Sequence, residues 1–236
     1  MRGDGVEQFK DPYGLAIEKN GNVNTADLSS NRVIKFSPNG TFISTEAGLG
    51  SGIGKLNRPH QISFDSSGGL YVADNYNHRI QRLGVKRIQF GQYVTGNGQF
   101  SNSTGITVDK SQNIYVVDFN NCRIQKFNSS RMYLKQWGAR GSGNGQFNEP
   151  MNVTTDNLGN VYVTDSKNSR VLKFDSSGIF ISKWGSIGSG NGQFNLPIGI
   201  AVDSSNNVFV VDSKNSRIQK FSSSCAYLTQ FGSFGS

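Results

Sequence analysis

The chain has 236 residues, with 24 Lys and Arg against 16 Asp and Glu for a net charge of +8. Only 17% of residues are charged and 29 are glycine, which excludes collagen-like and highly charged disordered chains. No run approaches the roughly 20 apolar residues that span a bilayer, and two cysteines, Cys122 and Cys225, are too few for a disulfide scaffold or a four-thiolate zinc site. Free thiols, and a start that lacks the apolar run of a leader peptide, favour a cytoplasmic setting.

In chain order, the first strand-like hexapeptide is Asn22-Val-Asn-Thr-Ala-Asp27. It recurs as Gly69-Leu-Tyr-Val-Ala-Asp74, Asn113-Ile-Tyr-Val-Val-Asp118, Asn160-Val-Tyr-Val-Thr-Asp165 and Asn207-Val-Phe-Val-Val-Asp212. The five aspartates are 47, 44, 47 and 47 residues apart, and five residues after each comes an arginine: Arg32, Arg79, Arg123, Arg170 and Arg217. Repeats begin near Phe9, Leu56, Phe100, Phe147 and Phe194, leaving no room for a sixth. Within the fifth repeat, Gly199 to Asp203, Val208 to Asp212, Arg217 to Phe221 and Ala226 to Phe231 read as four short strands separated by polar turns. The second repeat is three residues short near Gly84 to Gly98, so its outer strand is the weakest. Four strands in about 45 residues is the signature of a β-propeller blade, and a lone four-stranded sheet must stack on neighbours to cover its faces. The predicted fold is all-β: one domain over residues 1–236, with five four-stranded blades.

The run Pro-x-Gly-Ile-Ala-Val-Asp, then Asn-Val-Phe-Val-Val-Asp, then Asn-x-Arg-Ile-Gln-Lys-Phe, nearly intact over Pro197 to Phe221, resembles the NHL-repeat family. The resemblance covers all five repeats and implies six blades, one more than the chain holds. The alternatives are a closed five-bladed ring or an open five-blade part of a six-bladed propeller. Closure is the expectation, because an open arc leaves two apolar faces in water, and a closed ring would be a monomer.

Each repeated Asp can meet its Arg across a turn. The pairs Asp27–Arg32, Asp74–Arg79, Asp118–Arg123, Asp165–Arg170 and Asp212–Arg217 are therefore read as structural staples. Positions that vary between repeats are better binding candidates. One set follows the proline position of the innermost strand (Tyr13, His60, Thr104, Met151, Ile198), and another follows the repeated Asp. From these, together with Arg58 just before the second repeat's proline, the binding candidates are Tyr13, Arg58, His60, Asn75, Tyr76, Phe119, Lys167 and Lys214.

The family resemblance also admits enzymes. The peptide-amidating lyase, similar in its propeller, holds zinc through three histidines, whereas only His60 and His78 occur here and on unlike positions. Propeller lactonases hold calcium through Glu, Asn and Asp, for which Asp11, Asn102, Glu149 and Asn152 are the scattered candidates. No cofactor and no catalytic residue are assigned. The reading is a non-catalytic scaffold for a protein or other macromolecular partner. Two alternatives remain: RNA binding through third-strand cations such as Lys35, Lys126, Lys173 and Lys220, and a metal-dependent lyase or lactonase at the channel mouth.

Overall fold

A computed structural model describes residue 3 and residues 5–233. Blade 1 comprises β1 (Pro12–Ile17), β2 (Val23–Asp27), β3 (Arg32–Phe36) and β4 (Phe42–Ala47). Blade 2 follows with β5 (Pro59–Phe64), β6 (Leu70–Asp74), β7 (Arg79–Leu83) and β8 (Ile88–Phe90), and blade 3 with β9 (Ser103–Val108), β10 (Ile114–Asp118), β11 (Arg123–Phe127) and β12 (Tyr133–Trp137). Blade 4 holds β13 (Pro150–Thr155), β14 (Val161–Asp165), β15 (Arg170–Phe174) and β16 (Phe180–Trp184); blade 5 holds β17 (Pro197–Val202), β18 (Val208–Asp212), β19 (Arg217–Phe221) and β20 (Tyr227–Phe231). Each blade is an antiparallel meander in chain order, so the first strand is innermost and the fourth outermost. In the shortened second repeat, β8 keeps three residues, the fewest of any strand. No helix among the described residues is long and apolar enough to cross a membrane.

The second strands of blades 2, 3 and 4 are buried along their whole length, as their β-branched and aromatic content requires in the middle of a stack. At the first turn of blades 2 to 5 a carboxylate closes the hairpin by accepting backbone N–H groups, whereas in blade 1 Glu18 accepts the side-chain amides of Asn22 and Asn24. Asp65 takes Gly69 N at 2.8 Å, Asp156 takes Asn160 N at 2.8 Å and Asp203 takes Asn207 N at 2.8 Å. Every innermost strand carries a register shift just after its start, for example between Pro59 and Ile62 and between Pro150 and Val153. Such bulges re-aim the side chains at the start of the strand.

Four apolar clusters fill the four junctions between consecutive blades. The side chain that opens each repeat from the second onward, Leu56, Phe100, Phe147 or Phe194, is wedged into one of them at 0% exposure. Close to the axis the strands approach tightly: a Cβ on Gly14 would lie 2.2 Å from the His60 carbonyl, and one on Gly105 would lie 2.7 Å from Asn152 Cα. Trp137 and Trp184 pack farther out. Small residues inside and large ones outside make each blade a wedge.

The fifth junction departs from the expectation of closure. Leu15 is 53% exposed, whereas its counterparts Ile62, Ile106, Val153 and Ile200 are 1%, 2%, 2% and 8% exposed. On the other side of the seam Ile218 is 39% exposed, whereas Ile80, Ile124 and Val171 are at 0%. Pairs β1–β5, β5–β9, β9–β13 and β13–β17 pack together, and no comparable contact joins β17 to β1. The physical reason lies in the wedges. Each junction sets its own angle through its own side chains, and nothing in five such angles obliges them to complete a turn.

Candidate functional site

Because the strands alternate in direction, the linkers into each blade and the turns between second and third strands share one end of the molecule, here called the upper face. The turns between first and second strands and between third and fourth strands form the lower face. All eight binding candidates lie on the upper face.

The aspartate–arginine pairs hold that face in place. In blade 2, Arg79 Nε donates to Asp74 Oδ2 at 2.7 Å, while its Nη2 donates to the Gly52 and Lys55 carbonyls at 2.9 Å each. Asp74 also accepts Asn57 N at 2.7 Å and the Asn77 amide at 2.9 Å. Arg123–Asp118, Arg170–Asp165 and Arg217–Asp212 repeat the arrangement at 2.7, 2.8 and 2.8 Å, with each carboxylate at 0% exposure. One buried ion pair thus ties a turn to the incoming linker of its own repeat. Blade 1 is looser: Arg32 Nε stands 3.7 Å from Asp27, buried without a hydrogen-bond partner, although Arg32 Nη2 still reaches the Gly5 and Gln8 carbonyls.

On this frame the structure brings together four of the candidates. The Tyr13 and His60 rings lie 4.5 Å apart, and the Arg58 guanidinium sits 5.0 Å above the Tyr76 ring. Arg58 has left-handed backbone (φ 51°), and its N–H donates to Asn31 Oδ1 at 2.8 Å. Tyr76 remains 51% exposed and Tyr13 37%. Burial, with the charge of Arg58, drives the His60 pKa down to about 4, so the imidazole is neutral. Burial, with Asp11 nearby, raises Tyr13 to about 12. Two polar atoms at this mouth, His60 Nδ1 and Thr104 Oγ1, are buried without a hydrogen-bond partner.

The other candidates stand apart. Asn75 is buried and donates its amide to the Ser103 carbonyl of the next blade at 2.8 Å, so it ties blades together rather than facing a ligand. Phe119, on blade 3, is half-buried, and its N–H donates to the Asn102 carbonyl. Lys167, on blade 4, is exposed and 3.9 Å from Glu149. Lys214, on blade 5, is also exposed. Of the oxygen donors considered for calcium, Asp11 accepts Ser29 Oγ, Glu149 faces Lys167 and Asn152 Oδ1 accepts Val153 N. Among the described residues no group of three or more His, Cys, Asp or Glu side chains is placed to hold a metal ion.

The third-strand cations occupy the lower face, and most have local work. Lys35 pairs with Glu18 at 2.7 Å and Arg82 with Asp65 at 2.8 Å. Lys126 and Lys173 lie 5.1 Å above Tyr115 and Tyr162 and donate to the Ser176 and Ser223 carbonyls of the following blade. On the same face is a cleft of about 840 Å³ across blades 1 to 3, lined by Ile17, Phe64 and Val108 together with Lys19, Lys35 and Lys110. Sequence reasoning missed this cleft. The one available signal was the variable residue after each hairpin carboxylate: Lys19, Ser66, Lys110, Asn157 and Ser204.

A family model described as the NHL repeat matches residues 56–83, 100–127, 147–174 and 194–221. The human NHL repeat-containing protein 3 is 36% identical over 77 residues, 31% of this chain, so the match spans about a fifth of that relative (22%). Two solved propellers share the fold at low identity. Virginiamycin B lyase from Staphylococcus aureus superposes with TM-score 0.69 at 16% identity, covering 94% of this chain and 70% of its own. A chain of the nidogen/laminin complex gives TM-score 0.73 at 18% identity, covering 94% and 80%. The fold therefore serves an enzyme in one case and a protein complex in the other. The four matched segments run in each case from the opening apolar residue to the end of the third strand of blades 2 to 5, and the chain belongs to the NHL-repeat β-propeller family.

Proposed function

We propose that this protein is a non-catalytic binding scaffold that receives a protein partner on its upper face across blades 1 and 2. The observation that carries the reading is the cluster of Tyr13, His60, Arg58 and Tyr76, in which exposed aromatic and cationic side chains flank a half-buried histidine, at strand starts and a turn that the buried ion pairs keep in one shape. Aromatic and arginine side chains are the usual anchors of protein interfaces, and pre-set loops lose little freedom on binding. The nidogen/laminin complex supports a binding role for such a fold without transferring its partner. RNA binding stands second, because the third-strand cations are largely engaged by carboxylates, rings and carbonyls. A lyase or lactonase reading rests on shared fold alone.

The test is site-specific photo-crosslinking in extract with the probe at position 76 or, on the lower face, at position 110. The expected result is a discrete protein adduct from position 76 that Arg58→Ala and Tyr13→Ala reduce at least tenfold. Adducts confined to position 110, or adducts digested by ribonuclease, would sink the proposal.

A further inference from the structure

Five Asn-Gly steps occur in the chain: Asn20-Gly21, Asn39-Gly40, Asn97-Gly98, Asn144-Gly145 and Asn191-Gly192. An asparagine before glycine is open to attack from the backbone, because glycine has no Cβ to hold its nitrogen away from the asparagine side-chain carbon. In four of the five steps the glycine N–H is already donated. Gly21 N–H goes to the Glu18 carbonyl and Gly40 N–H to the Ser37 carbonyl, at 2.9 Å each. Gly98 N–H goes to Gln125 Oε1 at 2.9 Å, and Gly192 N–H goes to Gln219 Oε1 at 2.8 Å. Gly145 N–H has no acceptor among the described residues. The cause is one difference between repeats. The third strands of blades 2, 3 and 5 carry Gln81, Gln125 and Gln219 at one shared position, each buried and each accepting a linker N–H. In β15 that position is Leu172, buried in the apolar cluster with Phe147 and Phe174, and it offers no oxygen.

We propose that Asn144 is a site of spontaneous modification, where the asparagine closes to a succinimide and water opens it to aspartyl and isoaspartyl forms. The Gly145 nitrogen loses its proton to solvent and attacks Asn144 Cγ. A Cγ–N bond forms, the Cγ–Nδ2 bond breaks, and Nδ2 leaves as ammonia with a proton from solvent. Water then adds to one of the two imide carbonyls and breaks its bond to the ring nitrogen, so the sum is one water taken up and one ammonia released. A glycine N–H held by an acceptor must first give up that hydrogen bond before its nitrogen can lose the proton and turn to Cγ. The copies at 97, 144 and 191 isolate this effect. All three read Gly-Asn-Gly-Gln-Phe, their asparagines are exposed, and their second glycines have φ of 75°, 77° and 75°. Only the acceptor differs. The product puts a carboxylate, and in the isoaspartyl form an extra main-chain carbon, into the linker whose Ser142, Gly143 and Gln146 carbonyls Arg170 holds at 2.6, 3.1 and 2.9 Å. The upper-face cluster lies on blades 1 and 2, so either proposal can fail alone.

The test is to hold the intact chain at mildly alkaline pH and follow its proteolytic peptides by mass spectrometry that separates aspartyl from isoaspartyl forms. Position 144 is expected to convert at least about fivefold faster than positions 97 and 191, the factor that one lost hydrogen bond supplies. In the urea-unfolded chain the three steps should convert at one rate. Leu172→Gln, which installs the residue of blades 2, 3 and 5, should slow position 144 to the rate of the other two. Gln125→Leu, which copies blade 4, should speed position 97 by about the same factor and leave position 144 as it was. Equal rates at the three positions of the folded chain overturn the proposal. So does a preference for position 144 that persists in urea, since local sequence would then set the rate. A folded Leu172→Gln chain with an unchanged rate at 144 overturns it as well. If that variant does not fold, Gln125→Leu decides alone, and an unchanged rate at position 97 sinks the idea.

Discussion

At the scale of single residues, the buried ion pairs are costly to break, because losing one partner strands the other charge out of water. Asp118 is wholly buried and depends on Arg123, with help from the Asn121 amide and Ser101 N–H. Removing the arginine leaves an uncompensated buried charge, which costs about 3–5 kcal/mol. Arg123→Met should therefore lower unfolding stability by that amount in a urea titration and should free the linker from Gly96 to Gln99, whose carbonyls Arg123 binds. His60 makes a different prediction. Its folded pKa of about 4 is below the ordinary histidine value of 6.5, so between these values the unfolded chain binds the extra proton. Stability from this group is then complete above pH 6.5 and falls as pH drops toward 4, by about 2 kcal/mol between pH 7 and pH 5. His78, lowered in the same direction mainly by burial, adds to the same trend. Melting curves should show the pH 7 to pH 5 loss shrinking in His60→Gln.

At the scale of the element, the blade was legible and its wiring less so. Alternation and the punctuating Asp and Asn residues identified all four strands of the fifth repeat, and β17, β18, β19 and β20 match that reading. The bulges at the start of the innermost strands were not legible, because an extra residue in a pairing leaves no mark on a single strand's pattern. Nor was the burial of Asn75, a loop residue by position whose acceptor belongs to the next repeat. The glycine after each outer strand supplies a paired test. Gly138→Ala puts a Cβ 2.6 Å from the Phe147 ring and 2.9 Å from the Cys122 carbonyl, whereas Gly232→Ala meets the Ser216 carbonyl alone at a similar distance. Both pay the left-handed penalty of about 1–2 kcal/mol. Gly138→Ala should lose roughly 1–3 kcal/mol more through overpacking, a difference that thermal unfolding of the two variants can resolve.

At the scale of the whole molecule, stability in a stacked array is a sum over blades and their junctions. Blades 2, 3 and 4 are packed on both sides, while blades 1 and 5 each have one packed junction. Blade 1 also carries the stretched Arg32–Asp27 pair. Native-state hydrogen exchange should therefore be fastest in β1 to β4 and β17 to β20 and slowest in β10 and β14. Uniform protection across all five blades would mean that the seam closes in solution.

The sequence alone determined the repeat, the number of blades, the strand order within each and the pairing of every repeated aspartate with its arginine. All of these follow from interactions within about 47 residues, and each is written five times. It also pointed to the variable loops, four of whose residues, Tyr13, Arg58, His60 and Tyr76, meet in space. Tertiary structure alone decided which of the others stay apart, that the lysines reach across to neighbouring blades, and that Leu15 and Ile218 face an unfilled seam. The physical reason is that a repeat encodes the angle to its neighbour, and small errors or offsets in that angle are invisible locally. Only their accumulation over five blades, from Phe9 to Gly232, decides whether the two ends meet.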